Sequence, residues 1–227
     1  MSYFFQHRKP SPIIKLDDGH EIITTEVEQL DPCRTVYRLK LEPGSYRHTI
    51  PTTATSVIVK QQKEGWEEEF EDEVTAYNKL NALQGKVIPY FYGQGYFDGL
   101  PALILSDING NHLHILARSN DKVPEDLEAQ LRKVFNELSK FGALYTDQKL
   151  DTFLLCVEKD RKSSKVMVVD LEQVEFPDQL RSWHKFTNQE GPRSLMEDFK
   201  YTRNPRRQSS PLDFWISGND NSASTAS

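Results

Sequence analysis

The sequence predicts an α+β fold, and three observations carry that expectation. β-Branched runs with partial alternation recur through the first half of the chain, the pattern of half-buried strands. Two segments switch to steps of three and four between apolar residues, the period of a helix with one buried face. After the second of these come two short apolar runs joined by polar residues, which reads as a small hairpin.

Taken in order, residues 22–30 and 35–41 give two strands, and Ser56-Val57-Ile58-Val59-Lys60 a third. Residues 64–83 turn helical, with Phe70, Val74, Tyr77, Leu80 and Leu83 on one stripe. Pro89 and Gly93 break that pattern. Residues 90–96 and 101–105 are two more strands, joined at Asp98-Gly99 by a hairpin-type turn. After Asn109-Gly110-Asn111, a second helix carries Leu127, Leu131, Val134, Leu138 and Phe141 on one face, and Gly142 ends it. Residues 152–157 and 165–169 form the closing hairpin across Asp160-Arg161-Lys162-Ser163-Ser164. Residues 1–20 mix Pro, Lys and Asp without a period and read as a flexible arm; residues 201–227 read as a disordered tail.

The composition suits one compact domain or one domain of two lobes: 227 residues, 37% hydrophobic and 11% aromatic. The net charge of −6 and the absence of a long basic stretch set nucleic acid aside as a partner, because phosphate neutralisation needs clustered Lys and Arg. Cys33 and Cys156 lack C-x-x-C spacing, which points away from zinc and from a disulfide framework; Cys156 sits in an apolar run and reads as a small buried hydrophobe. No apolar leader core and no membrane-length segment is visible. The expectation is an intracellular protein, cytoplasmic or nuclear.

Four phrases in this order carry a resemblance. Val57-Ile58-Val59-Lys60 ends a strand on a lysine, a fixed point charge suited to phosphate. Glu73 lies beside the apolar stripe of the first helix, in the phrase Glu73-Val74-Thr75-Ala76-Tyr77-Asn78-Lys79-Leu80, although Glu67, Glu68, Glu69 and Glu71 crowd the same segment. Tyr145-Thr146-Asp147-Gln148-Lys149-Leu150-Asp151-Thr152 directly follows the second helix. Val168-Val169-Asp170-Leu171-Glu172 closes the hairpin. Over residues 22–176 the chain resembles the protein kinase superfamily, in particular the short kinase-like proteins of fungi.

That resemblance implies a two-lobed protein-kinase-like fold: a β-rich N-lobe with one helix at 21–107 and a truncated, mainly helical C-lobe at 108–200. It implies ATP and Mg²⁺ as cofactors. Lys60 would grip the phosphates and Glu73 would aim it. Asp147 would orient an acceptor hydroxyl and take its proton, and Lys149 would neutralise the transferred phosphoryl group. Asp170 would hold magnesium, with Thr152 standing where the family has asparagine. Leu105 would gate the adenine site, and Ser106 and Ile108 would offer it backbone groups.

The sequence departs from the family at several places. Thr152 replaces the asparagine, Glu172 the glycine of D-F-G, and Tyr145 and Thr146 the His-Arg pair. Only Gly44 stands where kinases carry a glycine-rich loop, with Arg34, Arg47 or His48 as possible charged substitutes. No Ala-Pro-Glu-like phrase follows Asp170. Two functions are therefore expected as alternatives. One is ATP-dependent phosphoryl transfer to a hydroxyl of Ser/Thr type, with a protein substrate. The other is a pseudokinase acting as a protein-binding module. A small-molecule kinase of the aminoglycoside or choline type shares the same core, and Lys149 leans against it. In the tail, Arg206-Arg207-Gln208-Ser209-Ser210-Pro211 resembles a kinase substrate, and Leu212-Asp213-Phe214-Trp215-Ile216 is an apolar patch.

Overall fold

The computed structural model describes residues 12–31, 35–45, 47, 49–157, 164–179, 181 and 184–205. It is an α+β structure whose first half closes into a six-stranded barrel. The strands are β1 (Ile13–Leu16), β2 (Glu21–Asp31), β3 (Val36–Leu41) and β4 (Ser56–Gln61), followed by helix α1 (Glu67–Lys79) and then β5 (Phe91–Phe97) and β6 (Leu100–Ser106). All barrel pairings are antiparallel, in the order β1-β2-β3-β4-β6-β5, and β1 closes the ring by pairing Ile14 with Phe97. Closure satisfies the edge groups that an open sheet leaves bare. It also corrects the reading of residues 1–20 as a loose arm: residues 13–16 are a barrel strand. Residues 1–11 lie outside the described part.

The alternation along β4 and β6 sorts side chains into two cores. Val57, Val59, Ala102 and Ile104 point into the barrel with Ile14, Ile22 and Leu39. Leu103 and Leu105 face outward, where α1 lays down Phe70, Val74, Tyr77 and Leu80. Each such fully buried side chain contributes about 1.5–3 kcal/mol of hydrophobic free energy. The expected stripe on α1 is thus the buried one. The helix starts at Glu67 rather than residue 64, and a 3₁₀ turn at Asn81–Leu83 follows it. Glu67, Glu68 and Glu69 occupy its first turn, where carboxylates complement the helix dipole. Asp98 and Gly99 both adopt positive φ, 51° and 79°, as a two-residue hairpin turn of primed type requires.

The second half begins with β7 (Gly110–His112) and helices α2 (Leu113–Arg118) and α3 (Leu127–Lys140). Next come β8 (Leu144–Tyr145), the hairpin β9 (Phe153–Val157) and β10 (Ser164–Val168), β11 (Val174–Glu175) and helix α4 (His184–Arg203). Leu127, Leu131, Val134 and Leu138 of α3 are buried as expected, whereas Phe141 is 40% exposed. Phe141 is the C-cap of α3, so it has left the helical register and points outward. Helix α4 runs to Arg203, past residue 201 where the polar tail was expected to begin. Residues 206–227, including Arg206, Arg207 and the segment from Leu212 to Ile216, lie outside the described residues, as do Cys33, Arg34, His48 and residues 158–163. Among the described residues no helix is long and apolar enough to cross a membrane.

Candidate functional site

A cleft of about 470 Å³ opens where the barrel meets the second half, lined by Ile58, Lys60, Lys63, Leu105, Ser106, Asp107, Ile108, Leu154, Val169 and Asp170 among others. Strand parity explains why Lys60 reaches it. Val57 and Val59 fill the barrel, so Ile58 and Lys60 emerge on the opposite face. Glu73 approaches from α1. It lies one helical turn from both Phe70 and Tyr77 on the inward face, and it is only 1% exposed. Lys60 Nζ stands 2.6 Å from Glu73 Oε2.

Asp170 arrives by hairpin register. Phe153 pairs with Val168, so the residues just outside the ladder, Thr152 and Val169, meet at the hairpin's open end. The Val169 N–H donates to the Thr152 carbonyl at 3.0 Å. Asp170 follows immediately, and its Oδ1 accepts from Lys60 Nζ at 2.9 Å. The structure therefore brings together Lys60, Glu73 and Asp170, residues far apart in sequence. A fourth group joins them: Glu172 Oε1 is 2.9 Å from Lys60 Nζ and 3.2 Å from Lys63 Nζ. The Leu171 N–H donates to Glu73 Oε1 at 3.2 Å, which locks the Asp170 segment onto α1.

This cluster holds three carboxylates against two ammonium groups, Lys60 and Lys63. Burial by itself would lower the Lys60 ammonium, but Glu73, Asp170 and Glu172 together raise it well above the ordinary lysine value. Burial pushes the Glu73 carboxyl up; Lys60 opposes this, and Asp170 and Glu172 add to it. Carboxylate oxygens of Glu73, Asp170 and Glu172 lie close enough together to share one cation. They are hard donors of the kind magnesium takes.

Asp147 and Lys149 sit on the loop between β8 and β9, 2.6 Å apart, and neither lines the cleft. The loop is fixed through its backbone. Thr146 Oγ1 donates to the Gln173 carbonyl at 2.8 Å, and Gln148 Nε2 to the carbonyls of Tyr145 and Thr187, both at 2.9 Å. The Thr152 hydroxyl is spent inside the loop, donating to the Lys149 carbonyl at 2.9 Å, and the residue is 1% exposed. Thr152 thus staples the loop at the place where the resemblance puts a magnesium ligand. The Tyr145 phenol is raised first by its burial, opposed by a hydrogen bond with Thr152, and raised further by the charges of Asp170, Asp147 and Glu73.

At the other end of the cleft, Ser106 and Ile108 are lining residues as expected. The Ser106 N–H is taken by the Tyr90 carbonyl at 2.9 Å. The loop where kinases carry glycines has no guanidinium to offer from Arg47. That side chain turns back onto the carbonyls of Glu42, Thr52 and Ala54.

Sequence reasoning missed several site residues. Asp107 Oδ2 accepts from Arg38 Nε at 2.9 Å and from Ser56 Oγ at 2.6 Å, knitting β3, β4 and the end of β6 beside the cleft. Asn188 on α4, 4% exposed, accepts the Tyr145 N–H at 3.0 Å and donates to Ala143 O and Ser139 Oγ at 2.7 and 2.9 Å. Glycine at 191 lets α4 come this close, since a Cβ there would stand 2.7 Å from Phe135. The local phrase Asn188-Gln189-Glu190-Gly191-Pro192 carried no site signal. Compared with known families and with curated proteins, the chain matches no family model and no curated protein.

Proposed function

We propose that this chain is a protein-kinase-like domain of two lobes whose cleft binds ATP with Mg²⁺ and transfers phosphate to a hydroxyl. One observation carries the reading: Lys60 on a strand meets Glu73 on a helix and Asp170 beyond a hairpin, at 2.6 and 2.9 Å, beside a cleft. A lysine held by a helix glutamate is a preorganised cation for phosphate. The barrel with α1 serves as the N-lobe, and the chain from β7 onward as the C-lobe. The donor set suits the cofactor: Asp170, with Glu73 beside it, supplies hard oxygens for magnesium. Magnesium, when bound, would neutralise charge on the phosphates. Leu105, Ser106 and Ile108 offer an apolar wall and backbone groups to a base. Asp147 accepts a proton from the acceptor hydroxyl, and Lys149 beside it adds positive charge.

Two observations favour the second reading, a pseudokinase that acts as a protein-binding module. Glu172 sits on the phosphate-gripping lysine, and Thr152 is buried within its loop.

Thermal unfolding with and without magnesium-ATP tests the proposal. A ligand at a hundred times its Kd stabilises by about 2.7 kcal/mol, a rise of several degrees for a chain of this size. Asp170→Asn should abolish the magnesium-dependent part of that rise. A rise accompanied by labelled phosphate transfer supports the enzyme; a rise without transfer supports the module. No rise at millimolar nucleotide defeats the phosphotransferase reading and leaves only a module that works without nucleotide.

A further inference from the structure

We infer that Glu172 is an internal competitor for Lys60: its carboxylate occupies the place of a ligand phosphate and must swing onto Lys63 before a nucleoside triphosphate can engage. The inference rests on the nucleotide reading of the cleft.

An ammonium has three N–H bonds. Three carboxylate oxygens stand around Lys60 Nζ at 2.6, 2.9 and 2.9 Å, from Glu73, Asp170 and Glu172. A phosphate oxygen can reach Nζ only by displacing one of them. Glu73 is the least movable, being 1% exposed and tied to the Leu171 N–H. Asp170 is held through its Oδ1, which also faces the Glu172 N–H at 3.4 Å. Glu172 has a second cation in place, since Lys63 Nζ lies 3.2 Å from the same Oε1 and 3.4 Å from Oε2. Lys63 is 30% exposed at the cleft lining and also rests over the Trp66 ring at 4.6 Å. Glu172 can therefore let go of Lys60 without being left as a bare charge, whereas Glu73 cannot. The third carboxylate also adds a negative charge at the cluster, which opposes a polyphosphate and not a neutral ligand. Glu172 is thus a specificity-determining residue: it makes the empty cleft discriminate against weakly bound anions.

Calorimetric titration of the full chain with magnesium-ATP and, separately, with adenosine tests this. Glu172→Gln keeps the shape and removes the charge. It should tighten magnesium-ATP by roughly tenfold or more and leave adenosine unchanged, because adenosine has no phosphate to compete. Adding Lys60→Met should erase the gain. If Glu172→Gln does not fold, Glu172→Asp, which draws the carboxylate back by one methylene, should give a smaller gain with the same selectivity. Equal tightening of adenosine would mean a loosened cleft and overturn the inference. So would unchanged or weaker magnesium-ATP binding against a wild type that binds, and in that case the nucleotide reading survives. Absence of binding in both proteins at millimolar ligand brings down the reading and this inference together.

Discussion

Around Lys60, four charged side chains are drawn out of water, and each is tolerable only because of the others. Around Asp147, the backbone is held by neutral hydrogen bonds with Asn188, Gln148 and Thr152, while Lys149, paired with Asp147, stays 66% exposed. Both regions present an aspartate and a lysine, yet their energetics run in opposite directions. A buried ion pair stands or falls with its partner, because removing one member strands the other in a medium that solvates it poorly. A surface pair at the end of a braced loop can be cut with little effect on the fold. The difference teaches where mutation reads stability and where it reads chemistry.

The largest expected effect is Lys60→Met, at about 3–5 kcal/mol of lost stability near neutral pH, since it leaves Glu73 and its two neighbours without their common cation. The pH dependence sharpens the test. Burial already holds the Glu73 carboxyl above its ordinary 4.5, and loss of Lys60 raises it further. An acid with a raised folded pKa binds its proton more tightly in the folded state. Its penalty is therefore absent below pH 4.5 and grows as pH climbs through the folded value. The wild type carries that penalty too, up to its folded value of about 7, so the gap between variant and wild type in urea unfolding should widen as pH rises above 7 and be smaller toward pH 4. A gap that does not change with pH would assign the loss to packing rather than charge.

Next in size is Asn188→Ala. It strips partners from the buried Tyr145 N–H and the Ala143 carbonyl, at a cost of about 1–3 kcal/mol. If the loop is braced as described, hydrogen exchange at Tyr145 should speed up while the amides of β4 keep their protection. Faster exchange in β4 as well would mean that the two regions are not independent.

How far each region was legible follows from the same contrast. The strand parity that aims Lys60 away from the barrel and the helical step that places Glu73 beside Val74 are local patterns, and residues 56–60 and 70–83 displayed them. Asp170 was placed from its position after an apolar run, a short-range cue as well. The barrel's closure was not legible, because β1 has four residues and its partner β5 lies some eighty positions away; no local period reports such a pairing. Helix α4 was hidden by Gly191-Pro192, a pair that reads as a break. Its tertiary role, Asn188 against the loop and Gly191 against Phe135, overrides that local preference. Thr152 was read by alignment to an asparagine, and the alignment gave no sign that its hydroxyl would be used by the backbone. Glu172 was visible as a departure, but its two lysine partners belong to another strand and loop.

The smallest structural effect and the cleanest chemical one coincide at Lys149. Lys149→Ala removes an exposed cation whose pairing with Asp147 is worth at most about 1 kcal/mol, so the unfolding midpoint should barely move. Under the phosphotransferase reading, the same change removes positive charge beside the transferred group and should lower labelled-phosphate transfer by one to two orders of magnitude. Nucleotide affinity, set at Lys60 and the far end of the cleft, should stay put, because Lys149 does not line that cleft. Measuring all three on one variant separates the regions. Loss of transfer with stability and affinity intact makes the Asp147 loop a chemical element resting on a structural brace. Loss of affinity in step with transfer would tie Lys149 to the Lys60 cluster and dissolve the contrast between them.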